Sequence, residues 1–195
     1  MFNLPIVKEY LKHRLKAKTR HGLHSPFVYR LVDEVVYDFS EKKVLNDLET
    51  HQISGKQPPR SKKLNRLLFR LINDRQSKHI VLLGNVSSTT EAYIKTAVPD
   101  ITISYQLDNG PAKLDVVLIE TKNDAEARVF FNACLPRVDE NTMIILKNIY
   151  CTDGIKTVWS EVKDNAQVTV TVDLFMMGLI YFRKGQARED FWIRF

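Results

Sequence analysis

The chain has 195 residues, enough for one sizeable domain and few for two. Hydrophobic residues at 44%, charged residues at 27% and only 7 Gly and 7 Pro exclude a disordered, collagen-like or low-complexity chain, and two cysteines, Cys134 and Cys151, exclude a disulfide scaffold. The net charge of +6 is uneven: residues 1–78 hold 17 Lys and Arg against 8 Asp and Glu, whereas residues 79–195 hold 12 against 15. No apolar run reaches the roughly 18 residues of a membrane helix, and the start lacks a basic stretch followed by an apolar one. The expectation is a cytoplasmic protein with no membrane partner.

Residues 5–20 read as a helix with Pro5 near its start and Ile6, Val7, Tyr10, Leu11 and Leu15 as apolar positions. Gly22 breaks it. Ser25 then reads as an N-cap with Pro26 at the first helical position, and Phe27, Leu31, Val35 and Val36 form one apolar face. The stretch 51–61 is a polar loop. A third helix over about 61–75 repeats Leu64, Leu67, Leu68, Leu71 and Ile72, with Lys62, Lys63, Arg66 and Arg70 beside that stripe. Residues 1–78 are therefore expected to form a helical extension packing on a core of residues 79–195.

From residue 79 strands alternate with helices. His79–Leu83, Ile101–Leu107, Leu114–Ile119 and Thr142–Leu146 read as strands, with helices at about 88–97, 124–135 and 153–163 between them. Gln167–Leu174 and Gly178–Arg183 lie so close that they must form a hairpin, and Phe191–Phe195 is a candidate last strand. The fold class is α/β: an open, mostly parallel sheet with helices on both faces and an antiparallel hairpin at the end.

The segment Lys18-Thr19-Arg20-His21-Gly22-Leu23-His24-Ser25-Pro26-Phe27-Val28 resembles the opening signature of a bacterial family of class I S-adenosylmethionine-dependent methyltransferases. The run from Val168 to Arg183 resembles that family's closing hairpin, the Arg194-Phe195 end is similar too, and Leu114–Ile119 is similar to its fourth strand. The resemblance implies a Rossmann-like methyltransferase sheet, S-adenosylmethionine as cofactor and a small-molecule methyl acceptor.

The centre departs from the family. Its first strand ends in an acid followed by a Gly-rich turn, but here Leu83 stands at the acid's place and only Gly84 of the glycines remains, followed by Asn85. The carboxylate that would hold the ribose hydroxyls has Gln106 as its nearer equivalent and Asp108 as a fallback. Only Asp108–Lys113 separate that strand from Leu114, too short for a parallel crossover with its helix, so about one β-α unit is missing where the family grips adenine. Glu120 survives as an acid after the fourth strand, but Lys147 and Asn148 replace the acid pair after the fifth. No metal is expected, since a hard cation wants several carboxylate oxygens, and Lys147 is expected to pair with Glu120.

Gly84, Asn85, Gln106 and Glu120 are thus the cofactor-lining candidates. His21 and His24 are the candidates for a general base with a substrate hook or for a metal pair, or else fix the joint between two helices. Ser87-Ser88-Thr89-Thr90 offers either an anion-binding helix start or an ordinary N-cap. Cys134 and Cys151 read as core thiols rather than nucleophiles. Tyr150 and Trp159 stand where such folds place substrate-lining side chains, with the core the stronger reading for Trp159, and Phe175-Met176-Met177 reads as core packing or a dimer contact ahead of a ligand cage. The leading expectation is a methyltransferase-like protein with much of its cofactor pocket lost, in which the cofactor need not bind. The alternative is a non-catalytic binding or oligomerisation module on the same scaffold, such as a homodimer through the N-terminal helices or the end hairpin. Nucleic-acid binding through Lys62, Lys63, Arg66 and Arg70 ranks last, because aromatic-interleaved basic patches are missing.

Overall fold

The computed structural model describes residues 4–53, 57–107 and 112–195. Helix α1 spans Leu4–Lys16, shorter than the expected 5–20. The reason is a competing partner: Lys18 N donates to Trp192 O at 2.7 Å and Arg194 N to Lys18 O at 3.0 Å, drawing the chain into an extended bridge. Helix α2, Pro26–Arg30, starts as its cap predicts, with Ser25 Oγ accepting from Val28 N at 3.3 Å, and widens into a π-helical turn over Leu31–Val36.

A short helix α3, Lys43–Asp47, with its own π-helical extension Leu48–Gln52, occupies a stretch whose helicity the sequence pattern does not signal; it buries Leu45 and Leu48. The polar loop expected at 51–61 is correspondingly shorter, because α4 already begins at Pro59 and runs to Arg75.

Seven strands form one sheet among the described residues, in the order β2-β1-β3-β4-β6-β5-β7. They are β1 His79–Gly84, β2 Thr102–Ser104, β3 Val116–Glu120, β4 Met143–Lys147, β5 Val170–Asp173, β6 Met177–Tyr181 and β7 Glu189–Trp192. Only β6 runs against its neighbours, forming the expected hairpin with β5 and pairing antiparallel with β4. Helices α5 (Ser88–Ala97), α6 (Asp124–Cys134) and α7 (Asp153–Asp164) fall where periodicity places them. β7 lies parallel to β5 and ends the sheet.

Strand alternation splits the apolar residues between two faces. Ile80, Leu82, Leu118 and Ile145 share a core with α2–α5, including Leu67, Leu68 and Ile72 of α4. Val81, Leu83, Val117 and Ile144 share the other with α6 and α7, around the fully buried Trp159. Strand β2 is shorter than expected, because Tyr105 turns out of the sheet to hydrogen-bond Glu91 at 2.9 Å. From there residues 105–115 lead directly to β3 on the far side of β1, with no helix or strand among the described residues of that link. Leu107 packs on the α6–α7 face instead. β2 is thus joined to β3 by a short link, as the spacing in sequence predicts.

Candidate functional site

In open α/β sheets, ligands bind beyond the carboxyl ends of the strands. Here those ends carry Gly84 on β1, Glu120 on β3 and Lys147 on β4. Gly84 pairs with Glu120 in register, and Ile119 pairs with Leu146, so Glu120 and Lys147 follow as neighbours. Period two puts these residues on the face covered by α4 and α5, where Glu120 and Lys147 floor a cavity of about 280 Å³.

Lys147 and Glu120 form the expected pair, Nζ to Oε2 at 2.5 Å. The ammonium is buried and also approaches Thr90 Oγ1 at 3.5 Å. Thr90 belongs to the hydroxyl cluster that opens α5: Ser87 caps that helix, its Oγ accepting from Thr90 N at 3.2 Å. Thr90 Oγ1 in turn donates to the buried Asn65 at 3.3 Å, and Asn65 Nδ2 to Gln57 at 3.4 Å. Gln57 reaches Tyr93 OH at 3.2 Å, and Tyr93 OH donates to Glu49 at 2.7 Å. A continuous polar chain thus runs from Glu120 to Glu49 between the sheet and the two helices. Burial pushes the Glu49 carboxyl up, but hydrogen bonds from Arg66, Lys62 and Tyr93 outweigh it and hold the group at about 2. Burial and Glu49 push the Tyr93 phenol to about 12.

The turn after β1 folds inward. Gly84 takes φ +87°, and a Cβ there would stand 2.4 Å from Glu120 O. Asn85 N donates to the same carbonyl at 2.7 Å, so this amide is committed to β3 rather than offered to a ligand. Gly84, Asn85 and Glu120 are therefore together, although only Glu120 of the three lines the cavity. Gln106 is exposed beyond β2, across β1 from Glu120, and Asp108 lies outside the described residues. His21 and His24 are exposed on the turn between α1 and α2, and neither lines this cavity. No group of three or more His, Cys, Asp or Glu with metal-holding geometry occurs among the described residues.

A second polar centre is invisible to motif reading. Asp173, buried at the end of β5, accepts from Tyr150 OH at 2.6 Å, Trp159 Nε1 at 3.1 Å and Phe175 N at 2.8 Å. His13 Nε2 of α1 lies 3.1 Å from its Oδ1 and 3.0 Å from its main-chain oxygen. Tyr150 and Trp159 are thus both turned to Asp173, and burial followed by the Asp173 charge pushes the Tyr150 phenol well above its ordinary range. Of the two thiols, Cys134 is buried in the core and burial pushes it to about 12; Cys151 is half-buried. The basic stripe of α4 is largely consumed internally. Lys62 and Arg66 pair with Glu49 at 2.8 and 2.6 Å, and Arg70 donates to Val35 O and Val36 O.

No family model matches the sequence, and no curated protein matches it either. Solved structures do. The chain is similar to the SAH-bound methyltransferase PaMTH1 of Podospora anserina, with 10% identity, a TM-score of 0.52, and 94% of this chain and 97% of that one covered. It is also similar to the O-methyltransferase TomG of Streptomyces achromogenes in complex with SAM, at 14% identity, TM-score 0.49 and coverage of 80% and 95%. A Bacillus cereus O-methyltransferase in complex with SAH matches at 10% identity and TM-score 0.43, covering 79% and 96%. With its sheet order and the PaMTH1 match, the chain has the class I methyltransferase fold.

Proposed function

We propose that this is a methyltransferase-like protein whose cofactor site has become a structural polar network, on a scaffold whose ancestral activity moved a methyl group from S-adenosylmethionine to a small-molecule acceptor. The observation that carries the reading is the Lys147–Glu120 ion pair at the ends of β3 and β4. It supports the reading because the strand ends, where open α/β sheets take their ligands, are occupied by a buried ammonium and a carboxylate that already satisfy each other. The remaining acid at that end, Glu120, already has its counter-ion. The cavity, at about 280 Å³, falls just below the roughly 300–1,000 Å³ of pockets for drug-sized ligands. The residues present do not fit the cofactor, and no catalytic step is assigned through it.

Thermal melting with S-adenosylmethionine or its demethylated product, each at about 1 mM, tests the reading. A micromolar site would then be at about 1,000 Kd and would add about 4 kcal/mol. For a chain of this size that raises Tm by roughly 8–16 °C. The expected shift is about 1 °C or less, and a rise of the larger size overturns the proposal.

A second reading, an oligomerisation module, draws on the exposed apolar stripe Val7, Leu11 and Leu15 along α1. Light scattering that finds only monomer at high concentration removes it.

A further inference from the structure

A larger cavity, about 510 Å³, opens between α1, the start of α4 and the β5–β6 turn. Its volume lies within the roughly 300–1,000 Å³ of ordinary ligand pockets. Apolar groups build its walls: Ile6, Val7 and Tyr10 of α1, Leu174 and Phe175 of the turn, and Phe195. Rigid packing holds that lining in place. Tyr10 meets Phe175 edge-on at 5.1 Å, and Phe175 stacks on Tyr150 at 5.0 Å, which hydrogen-bonds Asp173.

The rim has one sign of charge. Arg60 and Lys63 line the cavity, and no Asp or Glu among the described residues does. Neither cation is ion-paired among the described residues. Arg60 donates to Met176 Sδ, a weak acceptor, and the Lys63 ammonium sits 4.1 Å from the centre of the Phe195 ring. Lys62 and Arg66 on the same helix share Glu49, and Arg70 is taken up by Val35 O and Val36 O, whereas Arg60 and Lys63 face the cavity. Helix α4 adds to them, because it starts with no acid in its first turn and no capping side chain, leaving the positive end of its dipole uncompensated. Desolvation, with Arg70 and Arg14 nearby, holds the Lys63 ammonium below the ordinary lysine range, the direction expected of a cation short of a counter-ion.

We propose that this cavity binds an apolar carboxylate, its acyl or aryl body against Val7, Tyr10, Leu174 and Phe175 and its carboxylate between Arg60 and Lys63. The apolar body is selected by the walls, and the head by two cations that have no ion pair among the described residues. The inference does not depend on the fate of the cofactor site: Glu120 and Lys147 line the smaller cavity and not this one, although Arg60, Leu64 and Met176 border both.

Calorimetric titration of the full chain with 2-naphthoate and decanoate, each beside its neutral amide, tests the proposal. At least one carboxylate is expected to bind at least tenfold more tightly than its amide, and which of the two does so distinguishes an aryl from an acyl body. The Arg60→Gln/Lys63→Gln variant is expected to lose at least tenfold affinity for the carboxylate while its affinity for the amide changes less than twofold. Val7→Trp, at a half-exposed position on the wall, is expected to weaken both without lowering Tm. Equal binding of acid and amide, unchanged affinity in the double variant, or no binding of either carboxylate would overturn the proposal. The S-adenosylmethionine melting experiment is read separately and is not altered by any of these outcomes.

Discussion

Replacing Glu120 by Gln isolates the contribution of the pair at the strand ends. In the intact protein the Lys147 side chain is 8% exposed and that of Glu120 is 21% exposed, with 2.5 Å between Nζ and Oε2. Removing one partner of a fully buried pair costs about 3–5 kcal/mol, because a charge is left buried without compensation. In Glu120→Gln the ammonium keeps only Thr90 Oγ1 at 3.5 Å and a neutral amide. Water reaches the Glu120 end, so the cost falls below that range, to about 2–3 kcal/mol. Lys147→Met leaves the charge on the more exposed partner, which can hydrate, and should cost less, about 1–2 kcal/mol. With both changes no charge remains, and the double variant should recover to within about 1 kcal/mol of the parent. Urea unfolding at neutral pH, followed through the buried Trp159, reads all three. If Glu120→Gln lies within about 0.5 kcal/mol of the parent, or the double variant equals the sum of the singles, the pair is not the structural element described.

Other consequences are equally specific. Asp173→Asn removes the charge that Tyr150, Trp159, Phe175 N and His13 surround; a loss of about 3 kcal/mol or more is expected in urea unfolding, with a shift in Trp159 emission. Gly178→Ala drives a Cβ to 2.6 Å from Trp159 Cη2, and that ring is tethered through Nε1 to Asp173, so a loss of about 1–3 kcal/mol is expected from the same assay. Glu49, with its pKa depressed to about 2, stabilises the fold fully above its unfolded value near 4.5 and loses that contribution as pH falls toward 2. Glu49→Gln should therefore cost stability at pH 7 and progressively less in denaturation at pH 4 and below; a pH-independent loss would place the effect in packing.

Much of the fold is legible because its signals are local. Ser25 and Ser87 act as N-caps within three residues of their targets, and Val116–Ile119 and Met143–Leu146 are apolar runs with both faces covered. The short link from β2 to β3 is legible for the same reason, since the distance from Tyr105 to Leu114 in sequence leaves no room for a crossover. Where the reading departs from the structure, a distant partner decides. Lys18 leaves its helix for β7, more than 170 residues away. Helix α3 has a weak pattern of its own and is held by burial of Leu45 and Leu48.

The site was legible at Glu120 and Lys147, where two strand ends in register bring the pair together, and at the Ser87–Thr90 hydroxyl cluster that lines the same cavity. The Asp173 centre joins His13 to residues 137 or more positions later, and no spacing rule connects them. A buried carboxylate at the end of an apolar strand, Asp173 after Val168–Val172, is the one trace in sequence that could have prompted the search. The polar chain from Glu120 to Glu49 likewise depends on α4 and α5 lying side by side. The functional meaning of a residue such as Asn85 changes once its amide is seen bonded to Glu120 O.

Calorimetric titration of the full chain with S-adenosylmethionine tests the proposed conversion of the cofactor site most directly. The expected result is no saturable heat up to about 1 mM ligand, in the parent chain and in Lys147→Met alike. A one-to-one isotherm with a Kd of about 1 μM, or roughly −8 kcal/mol, would contradict it and return the strand ends to a working cofactor pocket.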